Sequence, residues 1–205
     1  MAKLTGHRYG KARVRVMKIL RDGPVHILKD LEVAAYLKGD FESSYTSGDN
    51  SKVVATDTIK NTINVFARQH LGEEVERFGL ILGEHFVSRY EQVREAEIQV
   101  LERPWKRLTV NGEPHPHSFA AGSEARMFTS VNCSEAAKTI RSGIRDLVIL
   151  KSTGSGFENY PKDEFTTLPE TAEPTSLSAE TASTMGLLTL PLPLLPFPVV
   201  LINAP

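Results

Sequence analysis

Cysteine is nearly absent from this chain: Cys133 stands alone among 205 residues. One thiol forms no internal disulfide and supplies no thiolate set for a structural zinc site, so packing and hydrogen bonds must hold the fold. A surplus of charge is also missing, with 24 basic against 25 acidic residues and a formal net charge of −1. That balance gives no long-range attraction for nucleic acid or an anionic membrane surface, and neither is expected as a partner. The most apolar stretch, Gly186 to Ile202, contains Pro191, Pro193, Pro196 and Pro198. Each of these lacks the backbone donor that a membrane helix must satisfy internally, so no transmembrane span is expected. Met1 to Val14 is polar and basic, without the apolar core of a secretory signal. The chain ends Asn203-Ala204-Pro205, not in a peroxisomal tripeptide of the Ser-Lys-Leu type. A Gly-rich phosphate loop with its lysine is absent too, which argues against a nucleotide-hydrolysing site. What remains is ordinary for a globular protein: 40% hydrophobic and 24% charged residues, enough to build a core.

Periodicity orders the chain. Val14, Val16 and Ile19 lie among Arg15, Lys18 and Arg21, and Asp22-Gly23-Pro24 follows as a turn signal. Ile27, Leu31, Val33, Ala35 and Leu37 share one parity, as a half-buried partner strand requires. Gly39 to Ser51 has turn-forming composition and no sustained period, which predicts a loop. Ile59, Ile63, Phe66 and Ala67 then fall at helical spacing, predicting a helix from Thr56 or Asp57, either of which suits the N-cap, to about Gln69. Beyond Gly72, the residues Val75, Phe78, Leu82, Phe86 and Val93 predict a second helix from Glu73 to Gln92. Ala96, Ile98 and Val100 alternate with polar residues. A turn at Asn111-Gly112 leads to a further extended segment through Phe119 and Met127 to Val131. The order is ββααββ, an α+β arrangement in which two helices pack on one face of an antiparallel sheet. Residues 1–133 make this first domain. Ile140 to Ser152 predicts one more strand, beginning a second domain over residues 134–171. Residues 172–205 form a Pro/Leu-rich tail expected to be disordered.

Several residues with chemical potential also have plain readings. Lys11 suits a solvated strand start, Thr56 and Asp57 suit helix caps, and a lone phenylalanine such as Phe157 is usually core. Gly154-Ser155-Gly156 before Phe157 argues instead for a loop setting. His115 and His117 lack carboxylate or cysteine partners, so no metal is expected there, and backbone hydrogen bonding is the preferred role.

Four segments nonetheless form a larger pattern: Tyr9-Gly10-Lys11, Val53 to Thr62, His115-Pro116-His117-Ser118-Phe119, and Leu150 to Phe157. Together with Gly39-Asp40-Phe41 and Asp163 to Leu168, they occur in the order and register found in the urate oxidase (uricase) family. Residues 8–171 resemble the N-terminal part of that family. The resemblance implies the tunnelling fold (T-fold), built of ββααββ units, with the second unit incomplete here, and assembly as a homotetramer with the site between subunits. It implies oxidation of urate by molecular oxygen and water to 5-hydroxyisourate and hydrogen peroxide, a step of purine catabolism, without a metal or organic cofactor. The family's proton relay maps to Lys11 and Thr56, its substrate contacts to Thr56 and Asp57, and its purine-stacking ring to Phe157. The chemistry suits these types. A free lysine titrates near about 10.4 and serves as a base only where its surroundings disfavour its charge, and an aromatic face stacks on a flat purine. Family members in eukaryotes are usually peroxisomal, which makes the peroxisome the expected location, with the cytoplasm as the other.

One departure matters. Six residues beyond Leu168 the family pattern expects an arginine that grips the urate anion, and this chain has Pro174. Proline offers no such two-pronged donor. The competing expectation is therefore a catalytically inactive subunit that only assembles with intact chains. A T-fold relative binding another purine or a pterin is a third reading, against which the Lys11 and Thr56 register argues.

Overall fold

The structure, a computed structural model, describes residues 4–151, 160–167, 178–180 and 188–191. Strands β1 (Tyr9–Leu20) and β2 (Ile27–Gly39) form a long antiparallel hairpin. A one-turn helix α1 (Glu42–Thr46) follows, then α2 (Thr56–His70) and α3 (Val75–Arg89). After β3 (Val93–Glu102) comes a separate hairpin of β4 (Trp105–Val110) and β5 (Glu113–Ala121), and then β6 (Arg126–Ser134) and β7 (Lys138–Arg145). Three short strands complete the described elements: β8 (Ile149–Lys151), β9 (Ser178–Glu180) and β10 (Leu188–Pro191). The main sheet has the order β1-β2-β3-β6-β7-β10, every neighbouring pair antiparallel.

Alternation decides which face is covered. Val33 and Ala35 of β2, Ala96 and Ile98 of β3, and Val131 and Cys133 of β6 are buried at every second position. Against them α2 sets Ile59, Ile63 and Ala67, while α3 sets Phe78, Leu82 and Phe86. The spacing of four places each set on one helical face. The approach is close where α3 crosses β6, since a β-carbon on Gly83 would lie 2.7 Å from Cys133 Sγ. Burial there pushes the Cys133 thiol up to about 11, so it packs as a small apolar group and not as a nucleophile.

The expected ββααββ order is present, with three local differences. The loop Gly39 to Ser51 contains α1, whose Ser44, Thr46 and Ser47 hydroxyls donate to the carbonyls of Phe41, Glu42 and Ser43. The second helix is shorter than Glu73 to Gln92, because Glu74 and Tyr90 take extended backbone angles at its two ends. Asn111 and Gly112 do form a turn, with φ of 52° and 84°, but they close the β4–β5 hairpin and do not lead into β6. Two left-handed residues in succession match the tight turn that strand twist favours. The strand expected from Ile140 to Ser152 is likewise divided, β7 ending before Asp146 at φ 58°.

Residues 134–171, expected to begin a second domain, contribute β7 to the same sheet, where it pairs with β6. In the stretch 172–205, β9 pairs with β8, and β10 pairs with β7 over Thr139 to Ser142. Pro191 stands last in β10, at a sheet edge, where its missing N–H is tolerated. No helix among the described residues is long and apolar enough to cross a membrane.

Candidate active site at the start of helix α2

Lys11 reaches the helix-covered face of the sheet through an irregularity. Tyr9 pairs with Leu37 and Lys11 with Ala35, but the next pair is Val14 with Val33, so Ala12 and Arg13 together oppose Ala34. This is a β-bulge, which shifts side-chain parity by one. Directly opposed residues share a face. Tyr9 and Lys11 therefore stand on the side of Leu37, Ala35, Val33 and Leu31, all buried under the helices. Arg13 carries the bulge with φ of 56°, a left-handed conformation rare for such a residue. Gly10 allows the strands to close, since a β-carbon there would come within 2.0 Å of the Ala35 carbonyl oxygen.

Helix α2 comes to meet this lysine. The Val54 N–H donates to the Tyr9 phenol oxygen at 2.7 Å, tying the approach of α2 to the start of β1. Tyr9 lies edge-on to the buried Phe41 ring at 4.7 Å. Burial, opposed by the Val54 bond, raises the Tyr9 phenol above its ordinary value and keeps it neutral. The segment before α2 is fixed again by Gln92, whose Nε2 donates to the Lys52 carbonyl at 2.7 Å, and by the Lys52–Asp40 ion pair.

Thr56 and Asp57 open α2 but do not cap it. Ala55 occupies the N-cap position, with no side-chain capping bond, because the Asp57 carboxylate is turned to Lys60 and Asn61. The first-turn N–H groups thus keep their partial positive charge unmasked by a cap. The Lys60 bond and charge, with smaller help from Asn61 and Lys11, hold Asp57 below the usual carboxylate range. Among the described residues, neither the Lys11 ammonium nor the Thr56 hydroxyl makes a hydrogen bond, and Thr56 is exposed.

The Tyr9–Val54 bond thus brings the strand start that carries Lys11 to the helix start that carries Thr56 and Asp57, while Phe157 and Pro174 lie outside the described residues. His117 Nε2 meets the Pro24 carbonyl at 3.0 Å, and His115 Nδ1 accepts the His117 N–H at 3.2 Å, both structural contacts at the β4–β5 hairpin. Sequence reading passed over Tyr9, Lys60 and Asn61 as individual groups, although all three lie inside the quoted motifs. The bulge at Arg13 left no signal in composition.

Known proteins resemble this chain over most of its length. The uricase family profile matches residues 7–132 and 140–184, running past the 171 at which the motifs stop. The uricase of Dictyostelium discoideum is 40% identical over 187 residues, covering 89% of this chain and 65% of that protein. The uricase of Arabidopsis thaliana is 43% identical over 171 residues, covering 81% and 55% respectively. Among solved structures, the uricase of Arthrobacter globiformis superposes with a TM-score of 0.71 at 39% identity, over 84% of this chain and 58% of that one. The chain thus spans between about half and two thirds of the length of the relatives it matches. Its α+β sheet with two helices on one face is a T-fold unit. On the match of most of its length and on the shared fold, the chain belongs to the uricase family.

Proposed function

We propose that this chain supplies the proton-relay side of a urate oxidase site, with Lys11 and Thr56 as catalytic residues and Asp57 as a substrate contact. The observation that carries the reading is the bulge at Ala12 and Arg13, which sets Lys11 on the face toward the open N-terminus of α2. The overall chemistry balances without a cofactor: urate gives up two electrons, dioxygen takes them with two protons to form hydrogen peroxide, and water adds to the ring to give 5-hydroxyisourate. A hydroxyl both donates and accepts, so Thr56 can pass a proton between urate and the Lys11 side chain. The N–H groups of the first turn favour the anionic substrate. Phe157, by family pattern, stacks on the purine ring. Assembly as a homotetramer places the rest of the site on a neighbouring subunit, and the release of peroxide suits a peroxisomal setting.

Urate turnover by the purified chain, followed as loss of urate absorbance together with peroxide release, tests the reading. The expected result is turnover that Lys11→Ala abolishes. Pro174 in place of the anion-gripping arginine favours a second reading, a non-catalytic subunit that assembles with intact uricase chains. A folded sample with no turnover, which co-purifies with an intact uricase, would establish it.

A further inference from the structure

Helix α2 is tied to strand β1 at both ends. At its C-terminal end the Lys18 ammonium donates to the carbonyls of Ala67, Arg68 and Leu71, at 3.1, 3.0 and 2.6 Å. At its N-terminal end the tie is Tyr9 to Val54. Tyr9 stands two residues before Lys11 on the same strand and face, and Val54 stands two residues before Thr56. The bond therefore joins the two elements that carry Lys11 and Thr56, two residues before each. The other hydrogen bonds on the segment 40–53 hold it to Gly39, to Gln92 and to itself, and among the described residues none reaches β1, where the segment's further contact is the Phe41 ring against Tyr9.

We propose that Tyr9 is the positioning residue of this site, its phenol oxygen fixing the spacing between the Lys11 amine and the Thr56 hydroxyl. The inference rests on the relay reading of those two residues. Two features suit Tyr9 to the task. Its ring is held edge-on by Phe41, so the oxygen has a fixed origin. Its partner Val54 is only 5% exposed, so an N–H deprived of this acceptor finds no ready water, and the bond is costly to break. Tyr9 touches neither substrate nor oxygen in this account. It acts through the backbone that carries Thr56. A displacement of about 1 Å between relay groups is enough to slow proton transfer a hundredfold.

The test uses Tyr9→Phe, which keeps the ring against Phe41 and removes the acceptor. Two readouts are taken on the full chain: amide hydrogen exchange across residues 53–58, and urate kinetics beside Lys11→Ala. Lys18→Met serves as the comparator, loosening the far end of α2. The expected result is exchange at the Val54 amide faster by roughly tenfold or more, with kcat reduced by a similar factor and KM little changed. In Lys18→Met, faster exchange is confined to the last turn of α2 and kcat is retained. If Tyr9→Phe leaves both exchange and kcat as they were while Lys11→Ala abolishes turnover, the Tyr9 proposal is overturned and the relay stands. If Lys11→Ala has no effect on turnover, the relay reading itself falls, whatever Tyr9 does. Should the unaltered chain show no turnover, exchange decides. Acceleration limited to 53–58 supports the tie, and uniform acceleration along the chain reduces Tyr9 to a core contact and overturns its positioning role.

Discussion

At the scale of single residues, the neighbours of Lys11 carry opposite backbone demands. Gly10 has no room for a side chain, whereas Arg13 has a side chain and a backbone that prefers none. Replacing Gly10 by alanine drives a β-carbon onto the Ala35 carbonyl oxygen, and such overpacking costs about 1–3 kcal/mol. Arg13→Gly relieves the left-handed conformation, worth about 1–2 kcal/mol per residue, against the greater freedom glycine gives the unfolded chain. Chemical denaturation should therefore show Gly10→Ala clearly destabilised and Arg13→Gly unchanged or slightly more stable. An Arg13→Gly variant as damaged as Gly10→Ala would mean that the Arg13 side chain, not its backbone, maintains the bulge. The residue types needed for the relay were legible as motif members. Which of them touch was not, because Tyr9 and Val54 are separated by 45 positions.

At the scale of elements, the buried carboxylate Asp30 joins the β1–β2 hairpin to β4. It accepts two bonds from Arg15, at 3.1 and 3.0 Å, and one from the Trp105 indole at 3.1 Å. Burial alone would raise its pKa. The Arg15 and Trp105 bonds, with the charges of Arg15 and Arg103, outweigh burial and hold it below the ordinary carboxylate range. A carboxyl with a lowered folded-state pKa takes up protons more readily when unfolded. Its contribution to stability is thus complete above the unfolded pKa and fades as pH falls through the folded one. Asp30→Asn should be less stable than the parent near neutrality, and the gap should narrow on acidification below about pH 4. Urea melts across that range check the sign, and a gap that widens toward acid would refute it. The helices and main strands could be read from periods of 3.6 and 2. The β4–β5 hairpin escaped, because it stands outside the main sheet and lacks a steadily buried face.

At the scale of the whole molecule, the sheet has one face covered by helices and two unequal edges. Among the described residues, nothing pairs with the outer edge of β1, and β7 is covered over Thr139 to Ser142. Unpaired strand edges recruit further strands. Size-exclusion chromatography with light scattering should therefore show oligomers of mixed size beside the proposed tetramer for the isolated chain. A single sharp tetramer peak would show that the edges are satisfied by ordered assembly. The sequence by itself determined the ββααββ order, the buried stripes and the family, because each is written in local spacing or in motifs a few residues long. Only the tertiary structure decided that Lys11 lies on the helix-covered face of the sheet. Strand parity within β1 alone puts Lys11 on the face opposite Val14 and Val16, and the extra residue that reverses this becomes visible only in the pairing of β1 with β2.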